Sequence, residues 1–194
     1  MLLLARPRRD RICTFIESQR GQSFSYPEQG ATNCQAPAGY TVDHNRIQLG
    51  HGPAVFDRAA AALRRWEMFN TGWIELCWLD TPIQVGSTVA VVGRHYGFWS
   101  LNACRVVYVI DECGIRPRYG FAYGTLTGHA EIGEQRFTVE LQPDDHTVWY
   151  DIYAFSRPRG LARAAYPLSR TLQRRFARDS KEAMRRAIAS ALNG

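Results

Sequence analysis

From Trp73 to Phe155 the hydrophobic pattern changes from a helical period to a period of two, and no helical segment intervenes. This feature excludes most architectures. The segments IELCWL, STVAVVGRHY, ACRVVYVID, YGFAYGTL, EQRFTVEL and TVWYDIYAF each read as a strand, rich in β-branched and aromatic residues. Short turns separate them, among them Asp80-Thr81-Pro82, Asp111 to Gly114 and Pro143-Asp144-Asp145. A parallel neighbour needs a crossover of a dozen residues or more, so connections this short dictate an antiparallel meander. In EQRFTVEL, Phe137, Val139 and Leu141 share one face, and Glu134, Arg136, Thr138 and Glu140 share the other. One face is therefore predicted to meet a core and the other water or a polar cavity.

Helical spacing brackets this block. Residues 8–20 carry Ile12, Phe15 and Ile16 on one face, and Gly21 supplies a stop. A loop of Gly, Ser, Pro, Gln and Asn follows to about Gly39, long enough that it should wrap the surface. GYTVDHNRIQLG predicts a first strand. Pro53 then suits the first position of a helix whose apolar face is Phe56, Ala59, Leu63, Trp66 and Met68 or Phe69, with Asn70-Thr71-Gly72 as its end. After Arg157-Pro158-Arg159-Gly160 the helical period returns. Leu168, Leu172, Phe176, Ala183, Ala187 or Ile188, and Ala191 form an apolar stripe, and Arg170, Arg174, Arg178 and Arg185 lie opposite. Pro167 is placed to start or kink this helix.

The predicted order is helix, strand, helix, six strands, long helix. An α+β chain of this order lays its C-terminal helix across a twisted antiparallel sheet. That is the helix-grip arrangement of START-like and birch-pollen-allergen-like domains. The rival is a closed antiparallel β-barrel with peripheral helices. A length of 194 residues, 45% hydrophobic and 22% charged, suits a single globular domain over 1–194. Residues 1–25 read as an N-terminal helical extension and 26–194 as the core.

Several chemistries are excluded in their usual form. The formal charge is +6, but Lys181 is the single lysine, set in a polar helical stretch without the burial that Schiff-base work requires. Five cysteines, irregularly spaced and without a CxxC, fit a reducing compartment, and Cys77 and Cys104 read as small core hydrophobes. The opening MLLLARPRR is too short for a secretory segment, and no stretch approaches the roughly 20 apolar residues of a membrane span. The expected location is the cytoplasm. No P-loop, GxGxxG, GxSxG, HExxH or zinc-ribbon spacing occurs, so neither a cofactor nor a metal is expected. His129-Ala130-Glu131 matches half of a zinc-deaminase signature, but the PCxxC half is missing.

The densest polar segment is FAYGTLTGHAEIGEQRF, residues 121–137, where Gly124, Gly128 and Gly133 imply turns, bulges or close backbone approach. His129 with Glu131 or Glu134 is its one acid–base pairing, and a structural hydrogen bond uses the same pairing. Together with LGHGPAVFDRAAAALRRWEMFNTGW and YAFSRP, this segment resembles the bacterial and plant domain-of-unknown-function 1990 family, from about Tyr26 to the C-terminus. The resemblance implies that Gly124, Thr125, His129, Glu134, Ser156 and Arg157 are family-typical positions. It carries no activity across. Ala130 and Gln135 depart from the family pattern, which has a proline and a second acid there.

Three functions follow in order. The first is a binding module that holds a small apolar ligand between sheet and C-terminal helix. Its candidate contacts are Arg94, Tyr123, Thr125, Glu131, Trp66 and Arg157, with His129 and Glu134 as polar partners. The second is an enzyme on the same scaffold, with His129 as general acid–base and Glu134 or Glu131 orienting it. The third, nucleic-acid binding through the arginines of residues 157–186, is weakened by Asp179 and Glu182, and a solvated helix face is the simpler account. His51, between two glycines before the helix at Pro53, reads as an exposed turn histidine, and Ser156 as a turn or helix cap. The sequence sets no oligomeric state.

Overall fold

Among the described residues the chain forms eight antiparallel strands, most of them from the alternating apolar segments. The computed structural model describes residues 1–78, 80–159 and 166–190. In chain order these are β1 (Leu2–Leu3), α1 (Arg9–Arg20), β2 (Thr41–His51), α2 (Pro53–Arg64), β3 (Ile74–Cys77), β4 (Thr88–His95), β5 (Phe98–Glu112), β6 (Arg118–Thr125), β7 (Glu131–Leu141), β8 (Thr147–Pro158) and α3 (Tyr166–Ser190). The sheet runs β2-β8-β7-β6-β5-β4-β3, and β1 pairs with the start of β5. β2 and β3 are its two ends and do not pair with each other, so the sheet stays open and the barrel alternative is corrected. Irregular register at Gln48/Gly50 and at Val106/Tyr108 marks bulges, which bend and twist the strands that carry them.

The sheet is covered on both faces. The inner face carries Phe121, Phe137, Val139, Tyr150 and Ile152 into one core with Leu63, Trp66 and Phe69 from the α2 region and Phe176, Met184 and Ile188 from α3. Each large side chain fully buried there stabilises by about 2 kcal/mol relative to exposure. Aromatic edges tie the layer together: Trp66 meets Phe121, and Phe69 meets both Phe137 and Phe176. Tyr150 and Ser180, both fully buried, share a hydrogen bond of 2.8 Å that docks α3 on β8. Ala191, predicted for the α3 stripe, lies outside the described residues.

The outer face carries a second, smaller core, in which Ile12 and Ile16 of α1 pack on Cys77, Ala90, Val92 and Leu101. Arg105 of β5 holds the end of α1 by donating to the carbonyls of Gln19, Arg20 and Gln22 at 2.7–2.9 Å. The loop that follows crosses the outer face of β6, β7 and β8, bridging Phe24 to Leu126 and Ser25 to Thr125. The even positions of β7 were predicted to meet water or a polar cavity. Glu134 lies beneath this wrapping segment instead, Arg136 donates to its Thr32 carbonyl, and Glu140 pairs with Arg46 of β2; Glu134 and Thr138 are each 2% exposed.

Two other expectations need correction. The helix at Pro53 ends at Arg64, not near Asn70, because Trp66 takes a left-handed conformation (φ 58°) and a short 3-10 turn follows over Glu67–Phe69. That turn drives the indole fully into the core, where its N–H donates to the Thr81 carbonyl at 2.9 Å. β8 runs through Ser156 to Pro158, so Ser156 is a strand residue and caps no helix.

Candidate functional site

Packing between the inner face and α3 depends on what the strands carry inward. Toward the middle of β7 and β8 the inward residues are large: Phe137, Val139 and Leu141, and Tyr150 and Ile152. Toward the end where β7 begins and β8 finishes they become Glu131, Gly133 and Gln135, and Ala154 and Ser156. Opposite them α3 presents Arg170 and Gln173 before it reaches Phe176 and Ala177. Small and polar side chains do not fill this gap, and a cavity of about 390 Å³ remains there. Val91, Cys104, Tyr123, Ile152 and Phe176 give it an apolar interior, and Asp43, Glu131, Gln135, Ser156, Arg170 and Gln173 give it a polar end.

The polar end is one connected network drawn from four elements. Arg170 clasps Asp43 of β2 with two nitrogens, one at 2.7 Å, and also donates to Gln173 Oε1 at 2.5 Å. Gln173 Nε2 donates to Glu131 Oε1 at 2.9 Å and to Ser156 Oγ at 3.0 Å. A bidentate guanidinium–carboxylate pair fixes geometry as well as charge, so α3 is pinned to β2, β7 and β8 around the cavity. Burial raises the Glu131 carboxyl above its ordinary pKa; the Gln173 hydrogen bond and the Arg170 charge pull it back in part. Arg170, predicted for the solvated face of the helix, is drawn inward by Asp43.

His129 lines the cavity from the β6–β7 turn. Its Nδ1 accepts the Glu131 backbone N–H at 2.9 Å, which leaves the ring proton on Nε2. Burial pushes its pKa down from 6.5 to about 4, and the positive chain terminus acts in the same direction. The ring is therefore neutral at neutral pH.

Glu134 does not pair with it. The strand alternation turns Glu134 to the outer face, where its carboxylate accepts from the Tyr26 hydroxyl at 2.7 Å, the Gly30 N–H at 2.8 Å, the Thr32 N–H at 3.0 Å and the Thr32 hydroxyl. Gly124 makes room for this clamp, since a Cβ there would lie 2.0 Å from the Tyr26 oxygen.

Of the other predicted contacts, Tyr123, Thr125 and Glu131 line the cavity. The Tyr123 hydroxyl donates to Gln135 at 3.2 Å, and Thr125 Oγ1 exchanges hydrogen bonds with the Gly133 backbone. Arg94 is exposed on β4, Arg157 stacks on Tyr40 at the surface, and Trp66 is sealed in the core, so these three stand apart from the cavity. Asp43, Gln173 and Arg170 were missed as site residues. Ser156 was singled out by the family resemblance alone. Cys104 faces the cavity, but burial pushes its thiol up to about 12, so it stays protonated. Among the described residues, no three of His, Cys, Asp and Glu are grouped to hold a metal ion. Nor is any helix among them long and apolar enough to cross a membrane.

The family model "Domain of unknown function (DUF1990)" matches residues 25–183, most of the chain. This chain belongs to that family. A UPF0548 protein of Dictyostelium discoideum is 33% identical, with 100% of this chain and 98% of that protein covered. A UPF0548 protein of Deinococcus radiodurans is 37% identical, with 92% and 94% covered. Among solved structures, the protein TTHA0849 from Thermus thermophilus superposes with a TM-score of 0.52 at 10% identity, over 78% of this chain and 99% of that one. A point mutant of norcoclaurine synthase from Thalictrum flavum, in complex with a transition-state analogue, gives 0.50 at 10% identity, over 81% and 99%. At that identity the likeness shows the fold alone.

Proposed function

We propose that this chain binds a small, largely apolar molecule in the cavity between the inner face of the sheet and α3. The observation that carries this reading is the cavity itself. Its volume of about 390 Å³ falls in the range of small-molecule sites, roughly 300–1,000 Å³. Its walls combine an apolar interior with a few convergent polar groups, the composition that gives affinity and orientation together. The cysteine usage supports a reducing compartment, the cytoplasm, as its location.

The acid–base alternative has less support. The Glu134 carboxylate is occupied on the outer face, and the imidazole Nδ1 is spent on the Glu131 backbone. Nucleic-acid binding has less support still, because most of the α3 arginines have partners within the chain. Arg170 holds Asp43, Arg175 and Arg178 hold Asp179, Arg185 faces Glu182, and Arg186 donates to the Asn70 carbonyl.

The test is native mass spectrometry of the protein purified from its own host, beside an Ala154→Phe variant that fills the cavity. A small molecule retained by the wild type and lost from a variant that still melts cooperatively is the expected result. A molecule retained equally by both overturns the assigned location.

A further inference from the structure

Which ligand chemistry the cavity selects follows from an account of its polar groups, and this account rests on the cavity being a ligand site. Both amide hydrogens of Gln173 are spent, one on Glu131 and one on Ser156, and its oxygen takes Arg170. The Arg170 charge is matched by Asp43 in a two-point contact. One Glu131 oxygen accepts from Gln173; the other has no hydrogen-bond partner among the described residues. His129 is held neutral. Arg174 also lines the cavity, but it is exposed, where water and salt weaken its field.

The cavity thus keeps one carboxylate oxygen that no group of the described chain engages, on a residue whose charge Arg170, already held by Asp43, offsets only in part. Glu131 is half-buried, so water solvates its charge only in part, and a ligand that brings the opposite charge to the open oxygen gains a charge-assisted contact. A second carboxylate brought in by a ligand would meet repulsion. We infer that the cavity takes a small primary amine with an apolar body, its ammonium group on Glu131 and its hydrocarbon against Tyr123, Ile152 and Phe176.

The experiment is isothermal titration calorimetry of the full chain near neutral pH with three ligands of equal length: n-octylamine, n-octanol and sodium octanoate. Wild type, Glu131→Gln and Ala154→Phe are compared. Gln at 131 keeps an oxygen to accept from Gln173, so the network and the fold are retained while the charge is lost; thermal melting checks this. Octylamine is expected to bind wild type most tightly, to weaken roughly tenfold or more with Glu131→Gln, the size of a lost charge-assisted contact, and to lose measurable binding with Ala154→Phe. Octanol is expected to be weaker and indifferent to Glu131→Gln. Octanoate or octanol binding wild type as tightly as the amine overturns the amine assignment and leaves the cavity reading standing. Octylamine affinity unchanged by Glu131→Gln does the same. Octylamine binding that survives Ala154→Phe, or no binding by any of the three, overturns this inference; in the first case the cavity reading falls with it.

Discussion

Removing the Glu134 carboxylate tests whether this family-typical acid serves the wrapping of the sheet or the cavity. Glu134→Ala strands the amides of Gly30 and Thr32 and the hydroxyls of Tyr26 and Thr32. A buried donor without a partner costs roughly 1–3 kcal/mol. The hydroxyls have recourse, since Thr32 Oγ1 already lies 2.7 Å from the Tyr108 hydroxyl. The two amides are fixed by the backbone and do not. Two stranded amides at about 1.5 kcal/mol each, with about 1 kcal/mol for the void left by the side chain, give about 4 kcal/mol. At roughly 3 °C per kcal/mol for a chain of this size, the melting temperature falls by about 12 °C. Circular dichroism melting reads the global loss, and hydrogen exchange at Gly30 and Thr32 reads the local one. Exchange should accelerate there before it does so in β6 or β7, because the clamp joins a loop to a sheet that has its own core. A melting temperature within about 2 °C of wild type, with Gly30 and Thr32 protected as before, would refute the reasoning.

Two further outcomes follow from buried polar groups. Tyr150→Phe and Ser180→Ala each leave one buried hydroxyl alone and should each cost about 1–2 kcal/mol in urea unfolding, whereas the double variant should cost less than their sum; simple additivity would mean the 2.8 Å contact carries no coupling. The third outcome concerns pH. With its imidazole held near 4 in the fold against 6.5 unfolded, His129 binds a proton more readily in the unfolded chain, so its contribution is whole above about 6.5 and is lost as pH falls through 4. His129→Asn keeps an oxygen to accept the Glu131 N–H but does not titrate. The stability of wild type relative to this variant should therefore decline between neutral pH and pH 4, and Glu131, common to both proteins, cancels in the comparison; a flat difference would remove the buried, neutral ring from the account.

The fold was legible because its determinants are periodic and local. Period two from β3 to β8, with short turns, leaves an antiparallel meander as the simplest solution, and the stripe at Leu172, Phe176, Ala183 and Ile188 must then lie on one face of it. What escaped was set by contacts distant in sequence. Strand β1 holds two residues and exists because the start of β5 has an edge that β6 does not use. The early end of α2 depends on where the Trp66 indole finds the Thr81 carbonyl. The burial of Glu134 depends on a loop about 100 residues earlier in the chain, which local alternation does not reveal.

The candidate site was legible to the extent that its residues sit close together in sequence. Tyr123, Thr125, His129 and Glu131 stand out as polar residues among glycines, and all four line the cavity. Glu134 stood out equally and also borders the cavity, but its carboxylate faces the other way, because Glu131 and Glu134 are three residues apart and strand alternation puts their side chains on opposite faces. Proximity along the chain suggested one site where the pleat makes two. Asp43, Arg170 and Gln173 gave no such signal: each is an ordinary polar residue in its own segment, and their meaning lies in a contact spanning 127 positions from Asp43 to Arg170. The usable clue lay in size. Where inward strand positions pass from Phe137 to Gln135, Gly133 and Glu131, and from Ile152 to Ala154 and Ser156, two neighbouring strands lose bulk at the same register. Paired strands that thin together on a covered face leave unfilled volume unless the covering helix supplies large side chains, and at that level α3 offers Arg170 and Gln173.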